Sequence, residues 1–235
     1  MTPHPGSRSV PTREIGDRHA LSLVLVTLTV VSGLVDAVCF LGLGHVFTAN
    51  MTGNVLIIGF ALAGAPGFSV TGSLVSLGAF LVGAVAAGRL ALAFRDRHRV
   101  PWVRTALWCE ATLLAVSTVV AFGAGAVPPY PLIALIALAM GLRNGTVGRL
   151  AVPDLTTTVL TRTLAALAAG SRLAGGTDRR SGRKVAAVAA MVAGAVPGAW
   201  LVLRHGIGWP LLLTTLAVTG TALVYREGTE GPAGT

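Results

Sequence analysis

The sequence predicts an all-α polytopic membrane protein: six transmembrane helices plus two re-entrant or half-helical polar elements, arranged as an inverted repeat of four elements per half. Three observations carry this expectation. The 235 residues are 53% hydrophobic and only 11% charged, where a soluble domain carries about 25% charged residues. Too little charge is left to cover a water-facing surface. Two polar stretches interrupt the apolar pattern at corresponding places in the two halves. Finally, the Lys and Arg residues gather on one side of the membrane only if those two stretches fail to cross it.

Met1 to His19 contains Pro, Ser and Arg and is expected to be a disordered cytoplasmic N-terminus. The first element, Ala20–Leu43, carries Asp36 as its only charge and exceeds the roughly 18 apolar residues that mark a spanning helix. It is too long for a signal-peptide core and reads as an uncleaved first span. The second element, Phe47–Gly64, lies in a run from Val46 to Ala65 without an ionisable side chain, yet it opens with Thr48-Ala49-Asn50-Met51-Thr52-Gly53-Asn54. In hydrocarbon those amides and hydroxyls, and any irregular backbone, must be satisfied by protein or by a water-filled cavity. Val70–Gly88 is an uncharged third element, Thr105–Val127 a fourth with Glu110 near its start, and Pro131–Leu150 a fifth with Arg143 and Arg149. The sixth, Asp154–Gly170, repeats the polar character in Thr156-Thr157-Thr158 and Thr161-Arg162-Thr163. Val185–Leu203 and Gly206–Tyr225 close the chain as two uncharged spans, ahead of a short tail, 227–235, expected to be disordered. No long polar linker interrupts residues 20–226, so a single integral membrane domain is expected, its halves about 20–127 and 131–226.

Charge decides which elements cross. If all eight did, nine Lys and Arg would face the cytoplasm and eight the outside, which is no bias. If the second and sixth enter and return, sixteen of the 18 lie inside, Arg204 lies outside and Arg162 lies within a re-entrant element. The positive-inside rule favours the second arrangement, with both termini cytoplasmic. The competing arrangement is that both elements cross at a tilt.

The halves can be overlaid. Gly33-Leu34-Val35-Asp36-Ala37 lies over Gly141-Leu142-Arg143-Asn144-Gly145, Met51 to Leu56 over Leu160 to Ala165, and Gly83-Ala84-Val85 over Gly194-Ala195-Val196. Three blocks in one order at offsets of 108, 109 and 111 residues indicate a duplication. Each half then makes three crossings, an odd number, so the second half is inverted relative to the first. Inverted repeats of this kind are the architecture of many secondary transporters, whose sites sit at paired broken helices.

Gly33-x-x-Asp36-Ala37, Phe47 and Met51-Thr52-Gly53-Asn54 resemble the signature of the YoaK-like bacterial membrane proteins, a family defined as a domain of unknown function. The resemblance runs from about Leu21 to Tyr225, and its most specific part is the Met-Thr-Gly-Asn block. Where the family pattern has a Gln-Asn pair and a Thr-Gly-Thr run, this chain has Arg143-Asn144 and Thr161-Arg162-Thr163, which makes its site more electropositive. The resemblance implies a multi-spanning protein of the bacterial plasma (inner) membrane and supplies no reaction or ligand.

The candidate substrate-binding residues are Asp36, Asn50, Thr52, Gly53, Asn54, Asn144, Thr157, Thr161 and Arg162. Asp36 lies well inside the first helix, where a carboxylate is expensive and by default functional, as a proton- or cation-coupling group or as the group that orients Arg162 or Arg143; its alternative is a structural pair with a neighbouring Thr, Asn or Arg. The Asn50–Asn54 block could start a half-helix whose free N–H groups face the membrane midplane and seat an anion. Its alternative is interhelical glue, since Thr and Asn commonly bridge packed membrane helices. Arg162 could pair with Asp36, bind a substrate carboxylate or snorkel to the interface. Glu110 is expected to pair with Arg104 at the interface, and His45 to sit in a loop. Gly194-x-x-x-Gly198 and Gly141-x-x-x-Gly145 permit close helix packing, and Pro197 should kink its helix.

Net charge +9 is accounted for by orientation-setting loops, so no nucleic acid is expected. Cys39 and Cys109 read as buried free thiols. No nucleotide-binding glycine loop, metal-ligand cluster or Ser-His pair appears, so no cofactor, metal or catalytic group is expected and the chain does not read as an enzyme. The expected function is a secondary transporter or permease for a small polar or anionic solute, with the lipid bilayer as surroundings and a homo-oligomer as a compatible state. The alternative is a non-transporting structural or regulatory membrane protein, and a weaker one is a membrane enzyme acting on a lipid.

Overall fold

The computed structural model describes residues 12–95, 99–123, 128–150, 160–170 and 181–225. Within them every regular element is a helix: α1 (Thr12–Gly42), α2 (Met51–Leu62), α3 (Val70–Ala93), α4 (Arg99–Gly123), α5 (Tyr130–Leu150), α6 (Leu160–Ala169), α7 (Ser181–His205) and α8 (Gly208–Val224). The eight elements expected from the sequence are thus all present. Residues 12–19, expected to be disordered, are helical and extend α1 ahead of its apolar run. Five helices, α1, α3, α4, α5 and α7, are long and apolar enough to cross a membrane. α8 is a shorter apolar helix of 17 residues; at about 1.5 Å per residue it reaches roughly 26 Å, close to a hydrocarbon thickness.

The molecule is apolar on its outside. Val119 is 71% exposed, and Leu81, Val85, Val196 and Leu216 are also exposed, whereas Thr48, Asn54, Ser73, Ser76, Glu110, Ser117, Arg143 and Thr214 are buried. That reversal of the soluble pattern suits lipid, which solvates Val and Leu but cannot satisfy hydroxyls and charges. Many of the hydroxyls are spent locally on the carbonyl one turn back, as in Thr29 to Leu25 at 2.8 Å and Thr118 to Leu114 at 2.8 Å. The expectation of buried free thiols holds for Cys39 and fails for Cys109, which is exposed in the folded chain.

Two helix pairs make the most extensive contacts, α1 with α7 and α3 with α5. Each crosses at glycine. A Cβ on Gly33 would run into the Met191 carbonyl, and one on Gly194 into the Val30 carbonyl; Gly198 faces Leu34. In the other pair Gly141 meets the Phe80 carbonyl, Gly83 meets Leu138 and Gly145 meets Ala84. In both pairs the contacts advance together along the two chains, so the helices run parallel. α4 crosses α8, where Thr118 Oγ1 and Thr215 Oγ1 are 3.0 Å apart and Phe122 stacks edge-on against Trp209. α4 also lies against α5, and α1 against α8. The glycine spacing read from sequence as compatible with close packing is used for it at both crossings.

Between α1 and α3 the chain turns back. His45, in the left-handed region at φ 59°, has Nδ1 3.2 Å from the Gly67 carbonyl, so the residues before and after α2 meet at one end of the bundle. From His45 the backbone runs alongside Cys39 and Ser76, α2 starts at Met51, and Phe60 returns to ring contact with Phe68 just ahead of α3. Ser76 lies six residues into α3, so this excursion descends only about 9 Å along a helix roughly 36 Å long.

Candidate functional site

The polar groups that sequence reasoning scattered over six elements sort into two clusters, joined by Asp36. The deeper cluster is built on Arg143. This residue occupies the face of α5 that turns toward α1 and α4, and its side chain is buried. Its Nε donates to Glu110 Oε1 at 2.7 Å, and Nη2 donates to the same oxygen. Nη1 donates to the Leu28 carbonyl and to Ser32 Oγ, both at 3.1 Å. Ser32 in turn donates to the Leu28 carbonyl at 3.0 Å. A guanidinium offers five N–H donors in a rigid fork, and this fork ties three helices at one level. Beside it lies a small cavity of about 20 Å³ between Leu25, Leu28, Val103, Leu107, Glu110, Arg143 and Thr146, room for a single water molecule.

The expected Glu110–Arg104 pair is not formed. Glu110 is buried and turned to Arg143, while Arg104 Nε is a buried atom without a hydrogen-bond partner. The reason is burial: Glu110, once inside the bundle, needs a counter-charge at its own depth, and Arg143 is the cation there. The sequence signal was available, because Glu110 is the one charge of its apolar element and Arg143 lies further inside its own than Arg149. Their separate positions hid the partnership.

Leu28, Ser32 and Asp36 follow one another at intervals of four along α1, a single stripe of the helix. Arg143 holds the first two. Asp36 is one turn further on, within electrostatic reach of Arg143 and of Cys39, and its Oδ1 is a buried oxygen with no hydrogen-bond partner. Asn144, beside Arg143 on α5, is half-buried.

The second cluster stabilises the re-entering backbone. Asn54 is fully buried and grips one residue from both sides: Phe47 N–H donates to Asn54 Oδ1 at 2.9 Å, and Asn54 Nδ2 donates to the Phe47 carbonyl at 2.5 Å. The same Nδ2 reaches Ser76 Oγ at 3.1 Å, and Ser76 donates to the Phe47 carbonyl at 2.6 Å. Thr48 Oγ1 lies 3.3 Å from Cys39 Sγ. The side-chain amide thus replaces the backbone partner that a residue outside a helix or sheet lacks. Gly53 leaves room for the Phe47 ring, which a Cβ would strike. Asn50 is exposed at the start of α2, where its carbonyl accepts from Gly53 N–H at 3.1 Å, and Thr52 is exposed. Of the two readings for this block, interhelical glue describes Asn54, Ser76 and Thr48.

α6 packs on α7, and α2 packs on α3. Among the described residues α2 and α6 are thus seated on different helices, and the polar start of the sixth element, 154–159, lies outside the described residues. Thr161 is exposed on α6, and the backbone of Arg162 belongs to the same helix; the Arg162 side chain and all of Thr157 lie outside the described residues. The polar residues brought near one another are Asp36, Arg143 and Glu110. Among the described residues no group of three or more His, Cys, Asp or Glu side chains could hold a metal ion.

A family model described as a protein of unknown function, DUF1275, matches residues 24–224. The UPF0700 transmembrane protein YoaK of Bacillus subtilis (strain 168) is 35% identical to this chain over 144 residues, which are 61% of this chain and 64% of that relative. The matched region thus spans less than two thirds of the relative's length. No solved structure matches.

Proposed function

This chain belongs to the DUF1275 family, and we propose that it is a secondary transporter for a small polar or anionic solute, built as an inverted repeat in the bacterial plasma membrane. The observation that carries the reading is Asp36. A buried carboxylate oxygen without a partner lies one helical turn from a guanidinium that is itself anchored by Glu110. Ionisable groups inside membrane bundles are costly and mark solute or ion pathways.

The packing supports the repeat. Exchanging α1 with α5, α2 with α6, α3 with α7 and α4 with α8 carries each principal helix contact onto another: α1–α7 onto α3–α5, α4–α5 onto α1–α8, α2–α3 onto α6–α7, and α4–α8 onto itself. The glycines follow. Gly33 against Met191 becomes Gly141 against Phe80, and Gly194 against Val30 becomes Gly83 against Leu138, at the same offsets of 108 and 111 found in the sequence. α1 and α5 run in opposite directions, since Val24 and Leu25 line the cavity with Leu150 while Ser32 meets Arg143. That is the relation an inverted duplication demands. The return of the chain from His45 to Gly67 supports six crossings with α2 and α6 as excursions, and on the positive-inside rule the His45 end faces outward.

Arg143 comes from the second half, whereas Asp36, Ser32 and Glu110 come from the first, so the cluster bridges the two units that would move against each other in alternating access. Purified protein in liposomes, screened with isotopically labelled small carboxylates, amino acids and amides, should show saturable uptake that Asp36→Asn abolishes and Thr52→Ala leaves intact. Uptake no greater than in empty liposomes across the panel would favour the second reading, a non-transporting structural or regulatory protein. One observation speaks for that reading: Asn54, in the block most characteristic of the sequence, is wholly consumed in bracing Phe47.

A further inference from the structure

Asp36, Arg143 and Glu110 pose a problem of charge counting. Glu110 and Arg143 are buried and Asp36 is half-buried with its Oδ1 sealed from the surface; if all three were ionised the cluster would hold one uncompensated negative charge. A buried charge without a counter-charge is strongly unfavourable, and a group in that position ordinarily takes up a proton instead. Among the described residues Arg143 is the cation within electrostatic reach of Asp36. α1 is packed against α7 and α8. On α7, Lys184 is fourteen residues before the Gly198 crossing, about 21 Å along the helix, and Arg204 and His205 are exposed at its far end. α8 has no ionisable side chain between Gly208 and Val224. On α4 the other charged groups near this level are Glu110 itself and Arg104, toward the start of the helix; on α5 Arg149 is exposed, two turns from Arg143. His45 is turned to the Gly67 carbonyl, and Cys39, on α1, is a neutral thiol bonded to Thr48.

Glu110 already holds the guanidinium through two donors, whereas the Asp36 Oδ1 holds nothing. We propose that this cluster carries one exchangeable proton, resident on Asp36, and that this proton is the coupling ion of the transport cycle. When Asp36 releases it to water, the new carboxylate competes with Glu110 for Arg143, one helical turn away, and the fork that ties α1, α4 and α5 loosens; rebinding the proton restores it. The proton comes from and returns to the aqueous phases, so no other reactant is required. The coupling role rests on the transport reading above, but the bound proton does not.

Infrared difference spectroscopy of the full-length protein in lipid tests this, with the proton itself as probe. At neutral pH the wild type should show the C=O stretch of one protonated carboxyl, removed by raising the pH. Asp36→Asn should lack the band. Glu110→Gln should lack it too, because Arg143 then neutralises Asp36 one to one, an outcome that a purely structural Asp36 does not produce. Arg143→Gln should double it; should that variant fail to fold, the first two still decide. A wild type without the band overturns the proposal, as does a band that survives in Asp36→Asn, or one that sodium but not choline displaces at constant pH. A band in the wild type with no solute flux would leave the proton site standing and sink the transport reading alone.

Discussion

Replacing Asn54 with Ala isolates what the characteristic polar block contributes. The amide makes three polar contacts with the re-entering backbone and with α3: from Phe47 N–H at 2.9 Å, to the Phe47 carbonyl at 2.5 Å and to Ser76 Oγ at 3.1 Å. Their loss is unequal. The Phe47 carbonyl keeps Ser76 Oγ at 2.6 Å, but the half-buried Phe47 N–H loses its acceptor. An orphaned donor costs about 1–3 kcal/mol. The two remaining contacts are worth roughly 0.6 kcal/mol each, the average for polar contacts between membrane helices. Together they give a loss of about 2–4 kcal/mol. For a chain of this size, 1 kcal/mol corresponds to about 2–4 °C, so the unfolding midpoint in detergent should fall by on the order of 10 °C. Thr52→Ala, two residues away and exposed, should leave it within about a degree. Tryptophan fluorescence during heating reads both. Equal midpoints for the two variants would refute the bracing role and return Asn54 to the list of solute contacts.

The other expectations concern packing and topology. Gly141→Leu should prevent α3 and α5 from meeting, because even a Cβ there would overlap the Phe80 carbonyl; the variant should yield little folded protein by size-exclusion chromatography, while Gly148→Leu, at a glycine with open space around it, should behave as wild type. Single cysteines placed at Arg97 and Arg180, in a background with Cys39 and Cys109 replaced by Ser, should react with a membrane-impermeant thiol reagent from the same side. Labelling from opposite sides would show that α2 or α6 crosses the membrane.

Arg143 shows where reading residues in isolation stops. In sequence it is a departure from a family pattern and one of two arginines offered as a partner for Asp36; Glu110 was assigned to Arg104, six residues away. Sequence distance says nothing about depth, and depth decides which charges must pair. Asn54 makes the same point from the other side. Its type announced that some irregular backbone needed a partner, but only the path of residues 45–50 revealed that the partner was Phe47, seven residues earlier. Gly141, Gly145, Gly194 and Gly198 were legible as packing positions because close backbone approach admits almost no other residue, whereas Gly33 and Gly83 were legible only as matches of the repeat.

Composition and hydrophobic run length by themselves determined that this chain is a helical membrane protein with eight elements, since lipid leaves a backbone few ways to satisfy its N–H and C=O groups. Local pattern also placed the two polar interruptions and the glycines of both crossings. Only the tertiary structure decided that α2 and α6 lie on separate helix pairs, that Glu110 belongs to Arg143, and that Asp36 is left with an oxygen unpaired. Those outcomes depend on which faces meet at which depth, and a linear spacing holds that information only for neighbours on the same helix.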